Sequence, residues 1–279
     1  LPPTVAASGL ATAHSRNGRA LPAPKGYRLN YAPDQERSPI AAPARRHPQS
    51  QWQMFPDFVQ PTSERTPCMT HTGSDTARLL SLMAGRRKIS QGESLYHEHD
   101  HFQFIYAVQS GSFKSTLALA DGFEQVSSFH MVGELLGLDG VADGRHASRA
   151  VALEDSEIST LSYAQLTELS STICGVHHIL MRLISREIVR SHCHMVVLGS
   201  LNSTQRLAAF LLNQSERLSA RGYSALEFHL KMTRGEIGSF LGLTLETVSR
   251  TFGELQDQRL VQVKRRHIVI ASLDGLARV

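Results

Sequence analysis

Between residues 88 and 161 the apolar positions recur with the period of strands. Phe102, Phe104, Tyr106 and Val108 stand on alternate positions before Ser110-Gly111 turns the chain. A second run, 113–120, ends in Asp121-Gly122, residue types that tolerate the left-handed backbone of a two-residue hairpin. Residues 123–131 return, Gly133 breaks the run, and short runs follow at 147–153 and 157–161. Short strands at close spacing with glycine turns predict an antiparallel β-roll.

The period then changes to threes and fours. It picks out His177, Met181, Ile184, Ile188, Ser191, Met195 and Leu198, a seam without Asp, Glu, Lys or Arg. Arg182, Arg186, Glu187 and Arg190 fall off the seam. A helix packed on its own domain would also show one apolar face, but a stripe this narrow fits better a two-stranded coiled coil between subunits. Ser191 is the weak layer, where a small hydroxyl is tolerated and a carboxylate would repel its symmetry mate.

A further amphipathic helix is predicted over 205–221, with Leu207, Phe210, Leu211 and Leu218 inward and Gly222 as its stop. A short strand at 228–230 leads into TRGEIGSFLGLTLETVSR, residues 233–250. Ile237, Gly238, Leu241, Leu243 and Val248 point inward there, and Glu246, Ser249 and Arg250 point out. Two short helices joined at a glycine with one polar face outward form a helix-turn-helix. Two short runs behind it, 260–263 and 267–271, flank Lys264-Arg265-Arg266, a wing that would bring three cations to a phosphate backbone. The chain is thus expected to be α+β: a β-roll over 67–170, a dimerisation helix over 171–202 and a winged helix-turn-helix over 203–279.

Composition adds a leader. All eleven prolines lie between Pro2 and Pro67, among Ala, Ser, Gln and Arg, with no sustained apolar period, so residues 1–66 are expected to be disordered. The leader has no apolar core for a secretory signal, and its prolines oppose an amphipathic transit helix. No stretch approaches the roughly 18 apolar residues that span a bilayer, so a cytoplasmic protein without a membrane partner is expected. Cys68, Cys174 and Cys193 are odd in number and far apart, which suits a reducing compartment and gives no disulfide framework. A net charge of +4 permits nucleic-acid binding without demonstrating it. The zinc-protease, nucleophile-elbow and phosphate-loop motifs are missing, as is a paired-acid constellation, so no enzyme is expected.

The reading head has a legible chemistry. Gly242 suits the left-handed residue that ends a helix, and Thr244 the N-cap of the next. Glu246 lies in the first turn, where the helix dipole favours a carboxylate. Val248, Phe252 and Leu255 share the inward face. Arg250 can bond guanine O6 and N7 together, Glu246 can accept from cytosine N4, and Ser249 adapts to either neighbour. Thr233, Arg234, Thr244, Thr247, Lys264, Arg265 and Arg266 are the candidate contacts to the DNA backbone. The plainer alternative is an ordinary i,i+4 surface pair of Glu246 with Arg250.

Thr244-Leu245-Glu246-Thr247-Val248-Ser249-Arg250 is similar to the recognition-helix signature of the Crp/Fnr family of bacterial transcription regulators, Fnr-type branch. Met181-Arg182-Leu183-Ile184-Ser185 and Arg206-Leu207-Ala208-Ala209-Phe210 match as well, as do Tyr106-Ala107-Val108, Gly111-Ser112 and Gly133-Glu134-Leu135 in the roll. The resemblance implies a cyclic-nucleotide-binding-like roll and a homodimer, acting as activator or repressor. It also implies an inverted-repeat DNA site like TTGAT-N4-ATCAA, read by Glu246, Ser249 and Arg250, and RNA polymerase as a partner of an activator.

The same resemblance offers three kinds of signal. Cyclic-nucleotide binders hold the ribose with a Gly-Glu pair and the phosphate with an Arg-Ser/Thr pair. Gly133-Glu134 is present, but the second pair aligns near His146-Ala147, with Arg145 and Arg149 out of register. An iron–sulfur cluster of the Fnr type needs four cysteines, of which only Cys68 is suitably placed, and the internal position looks like Ser159. A regulator without a conventional [4Fe–4S] sensor and without a cofactor is therefore expected. The alternative is a metal-, haem- or thiol-redox-responsive regulator of the same fold. Its candidates are His97, His99 and His101, spaced to share one face of a strand, the pair His177-His178, and His192-Cys193-His194 on the long helix. For 97–101 a solvated turn is the default.

Overall fold

A computed structural model of the chain describes residues 81–279 apart from 84, 120, 121 and 174. The leader expected over 1–66, Cys68, Asp121 and Cys174 lie outside the described residues.

Among the described residues, eight strands build the roll: β1 (Gly85–Ile89), β2 (Ser94–Tyr96), β3 (Phe104–Ser110), β4 (Ser112–Ala118), β5 (Glu124–Met131), β6 (Leu135–Leu136), β7 (Arg149–Ala152) and β8 (Ser156–Ser162). They form two antiparallel sheets, ordered β1-β8-β3-β6 and β2-β7-β4-β5. Between β3 and β4 the chain passes from one sheet to the other through the single residue Gly111, at φ 82, where a Cβ would lie 2.1 Å from Ser156 Oγ. Only glycine fits that crossing.

Between the sheets, Ile89, Val108, Phe113, Leu136 and Ile158 form the roll core. The alternation read in β3 needs correction. Tyr106 and Val108 do face this core, but Phe104 is exposed, while Ile105 and Ala107 are buried on the opposite face. That face is covered by Leu166, Val176 and Ile179 of two helices, α1 (Tyr163–Thr172) and α2 (Val176–Ser200). A strand buried on both sides loses the period of two. Helix α1, absent from the periodic reading, starts at a capping box between Ser162 and Gln165.

Helix α3 (Ser203–Ser219) opens with a second capping box, Asn202 with Gln205. The chain continues through β9 (Glu227–His229), α4 (Arg234–Leu241), α5 (Leu245–Asp257), β10 (Val261–Lys264), β11 (His267–Ile270) and α6 (Leu273–Ala277). β10, β11 and β9 make a small antiparallel sheet in that order. Leu207, Leu211, Ile237, Leu241, Val248, Phe252, Leu255 and Ile268 fill the core beneath it, and Val126 and Phe129 of β5 join the same cluster. The reading head is thereby packed on the roll. At the joint between α2 and α3, the Arg206 guanidinium donates to three carbonyls: Leu198 at 2.7 Å, Leu201 at 2.9 Å and Leu241 at 3.0 Å.

Candidate nucleic-acid interface

Thr233 caps α4. Its Oγ1 accepts from the Glu236 N–H at 3.2 Å, and the Glu236 carboxylate accepts in return from the Thr233 N–H at 2.6 Å. The helix ends on Gly242 at φ 63, in the left-handed region. Thr244 then caps α5, its Oγ1 accepting from the Thr247 N–H at 3.1 Å. The turn between the two helices lies so close to α4 that a Cβ on Gly238 would stand 2.6 Å from the Leu243 carbonyl oxygen.

Val248, Thr251, Phe252 and Leu255 turn α5 inward. Glu246 and Arg250 are left exposed and Ser249 half-buried, near the helix N-terminus where fixed dipoles and N–H groups face outward. Arg250 pairs with Glu254 at 3.6 Å, and its side chain remains 70% exposed. Glu254 is itself held by Thr204 Oγ1 at 2.9 Å. The pair that Glu246 and Arg250 could have made with each other does not form. Arg234 lies over the Phe252 ring, 5.3 Å from its centroid.

The wing is tighter than the sequence suggests. Lys264 belongs to β10 and faces His267 across the hairpin, leaving Arg265-Arg266 as the turn, with Arg265 at φ 58. The shorter loop follows from the ladder, which pairs all four residues of each strand. Arg265 is exposed and Arg266 donates to the Lys231 carbonyl at 3.1 Å.

The positions that hold a cyclic nucleotide in such binders are otherwise engaged here. Glu134 accepts from Arg217 at 2.7 Å and Arg221 at 2.6 Å, with Arg190 at 3.6 Å. Burial works to raise the pKa of this carboxyl, but Arg217, then Arg190 and Arg221, hold it well below the usual carboxylate range. At the second position, Asp139 Oδ2 accepts from the Ala147 and Ser148 N–H groups at 3.1 and 2.9 Å, and from Ser148 Oγ at 2.7 Å. Its other oxygen is 3.3 Å from His146 Nδ1, and the His146 ring stacks on Tyr96 with centroids 3.7 Å apart. The chain's own carboxylate thus occupies the donors of Ala147 and Ser148. Sequence reasoning missed Asp139, Arg217 and Arg221. The spacing of four between Arg217, in the last turn of α3, and Arg221, just past its end, was the local signal.

The histidines separate. β2 ends at Tyr96, so His97, His99 and His101 do not share a strand face. His97 reaches Asp100 at 3.6 Å, His99 at φ 69 reaches Glu98 at 3.8 Å, and His101 bridges to Arg145. Among the described residues no three His, Cys, Asp or Glu side chains are gathered as a metal would require. His177 and His178 meet edge to face, exposed on α2, and His192 is exposed further along it. Ser159 is buried in β8 and accepts from Gln109 Nε2 at 2.8 Å. On α2, Met181, Ile188 and Met195 are exposed, as are His177 and Ser191, while Ile184 and Leu198 are half-buried. No helix among the described residues is long and apolar enough to cross a membrane.

A capped helix pair with a basic-tipped wing, carried behind a β-roll, defines a DNA-binding regulator. Residues 205–279 match the family model of the Crp-like helix-turn-helix domain, and residues 86–172 that of the cyclic nucleotide-binding domain. The chain is 41% identical over 203 residues to the transcriptional regulatory protein btr of Bordetella pertussis, covering 73% of this chain and 84% of that protein. It is 38% identical over 202 residues to the fumarate and nitrate reduction regulatory protein of Escherichia coli K12, covering 72% and 81%. The structure of FixK2 from Bradyrhizobium japonicum superposes with a TM-score of 0.64 at 30% identity, covering 69% of this chain and 95% of that one. The chain belongs to the Crp/Fnr family of transcription regulators: it is a DNA-binding protein with the α+β architecture of that family, and its relatives regulate transcription rather than catalyse reactions.

Proposed function

We propose that the protein acts as a homodimer on an inverted repeat resembling TTGAT-N4-ATCAA. The observation that carries this reading is the outward face of α5, where Glu246, Ser249 and Arg250 stand beyond a helix start built by Gly242 and Thr244. Placed in a major groove, Arg250 bonds guanine O6 and N7, Glu246 accepts from cytosine N4, and Ser249 serves either neighbour. Thr233, Arg234, Thr244, Thr247, Lys264, Arg265 and Arg266 fix register on the phosphates. The exposed Met181, Ile188 and Met195 of α2 form the subunit seam, completed by His177, Ile184, Ser191 and Leu198. If it activates transcription, the protein also meets RNA polymerase; if it represses, DNA alone suffices.

Its signal is not carried by a conventional [4Fe–4S] cluster. In support, the internal ligand position is Ser159, whose hydroxyl is already bonded to Gln109, and the described Cys193 belongs to α2 rather than the roll. Titration of the palindrome against a scrambled duplex at several salt concentrations tests the reading. The palindrome should win at every salt, with log affinity falling steeply as salt rises. Equal affinity for both duplexes would refute sequence-specific reading.

A further inference from the structure

Strand β5 and helices α2, α3 and α4 line a partly open cavity of about 40 Å³. Its lining combines Arg190, Arg217, His194 and Asn213 with the aromatic rings of Phe129 and Phe240. At roughly 10–15 Å³ per water, the space holds on the order of three waters, or four to six non-hydrogen atoms.

Two of its lining residues, Arg190 and Arg217, belong to a cluster of arginines. Three guanidiniums, Arg190, Arg217 and Arg221, gather on Glu134, and Arg190 also reaches Glu187. Arg217 is 13% exposed, and two of its bonds, to Glu134 and to the Phe129 carbonyl, leave from Nη2. Its Nε–H is buried without an acceptor. A buried N–H left without an acceptor is costly, and a bound anion would supply that acceptor beside two guanidiniums. The aromatic walls favour an anion with a hydrocarbon part over a fully hydrated inorganic one, and His194, stacked on Phe240 at 4.0 Å, extends that surface.

We propose that this cavity binds a small organic monocarboxylate of acetate to butyrate size, its carboxylate on Arg217 and Arg190 and its alkyl end on the rings of Phe129 and Phe240. The cavity touches the long helix and the first helix of the reading head together, so occupancy bears on how the head is held. That consequence for DNA rests on the proposed function; binding itself does not.

The test uses the full chain without DNA, titrated with butyrate by calorimetry against sodium chloride of matched ionic strength. Saturable binding at one site per chain is expected, weakened about tenfold or more by Arg190→Gln and abolished by Asn213→Leu, which fills the space. Circular dichroism establishes that both variants remain folded, and two variants guard against the failure of one. No saturable heat from the folded wild type would overturn the proposal. So would unchanged binding in folded variants, or inorganic phosphate binding as well as butyrate. Operator affinity with and without butyrate is then measured separately. A protein that binds butyrate but no palindrome would sink the DNA-site reading and leave the cavity assignment standing.

Discussion

Lys114 of β4 and Glu236 of α4 form an ion pair at 2.8 Å, each side chain only 20% exposed. Alongside it, Gln125 donates to the Ser239 carbonyl, and Ser239 Oγ accepts from the Val126 N–H at 2.8 Å. Burial works to raise the pKa of Glu236, yet Lys114 and the Thr233 cap bring it below the usual range. The carboxylate that caps the first helix of the reading head is the same one that docks that helix on the roll. Lys114→Met should lower stability by about 1–3 kcal/mol in urea unfolding, because it leaves a hydrogen-bonded carboxylate without its partner. The expected change is a lower midpoint at constant m; an unchanged midpoint would show that the docking contact contributes nothing.

On the DNA side, two arginines should behave differently. Arg250→Ala should weaken palindrome binding by about 1–3 kcal/mol and relax discrimination at one base pair. Arg265→Ala should weaken all duplexes alike and reduce the slope of log affinity against log salt by about 1. A mobility-shift series over single-base operator variants at three salts separates the two outcomes. If Arg250→Ala behaves like Arg265→Ala, α5 does not read bases.

Glu134 sits among three arginines at 12% exposure. Removing the charge while keeping the shape, Glu134→Gln, should cost about 3–5 kcal/mol at neutral pH, since it leaves buried guanidiniums facing one another. The pH dependence follows from the sign of the shift. The folded pKa is depressed below the ordinary 4.5, so this stabilisation is complete above that value and is lost as pH falls toward the folded pKa. Thermal midpoints measured from pH 6 down to 2 should therefore fall more steeply in the wild type than in the variant. Parallel curves would show that Glu134 titrates normally.

Ile188 is exposed on the proposed subunit seam. Ile188→Glu places a carboxylate opposite its symmetry mate, and should raise the dimer dissociation constant by about a hundredfold or more. Sedimentation equilibrium reads this directly. A variant that stays dimeric at wild-type concentrations would move the interface away from α2.

What could be read from the sequence depended on how local each device is. Gly242 and Thr244 were legible because a left-handed helix end and an N-cap are set by the residues themselves. The wing and the long helix were legible from period, with end shifts of a few residues, since Lys264 entered the ladder and α2 extends over Val176–Ser200. Helix α1 was hidden because only Leu166 of its ten residues is buried, too few to make a periodic face. The ties between roll and reading head were hidden for another reason. Glu134 and Arg217 are 83 residues apart, and Lys114 and Glu236 are 122 apart, so no window along the chain contains both partners. His97, His99 and His101 show the opposite error: a spacing suited to one strand face, undone because the strand stops at Tyr96.

The three bonds of Arg206 make the junction after α2 mechanically stiff. One planar guanidinium binds the last turn of α2, the linking residue Leu201 and the last residue of α4, and Gly242 leaves room for it, since a Cβ there would sit 3.4 Å from Nη1. A short link of this kind would ordinarily act as a swivel. Splinted in this way it acts as a crank, so that a few degrees of tilt in the long helix become a displacement at the far tip of the wing, multiplied by the length of the arm.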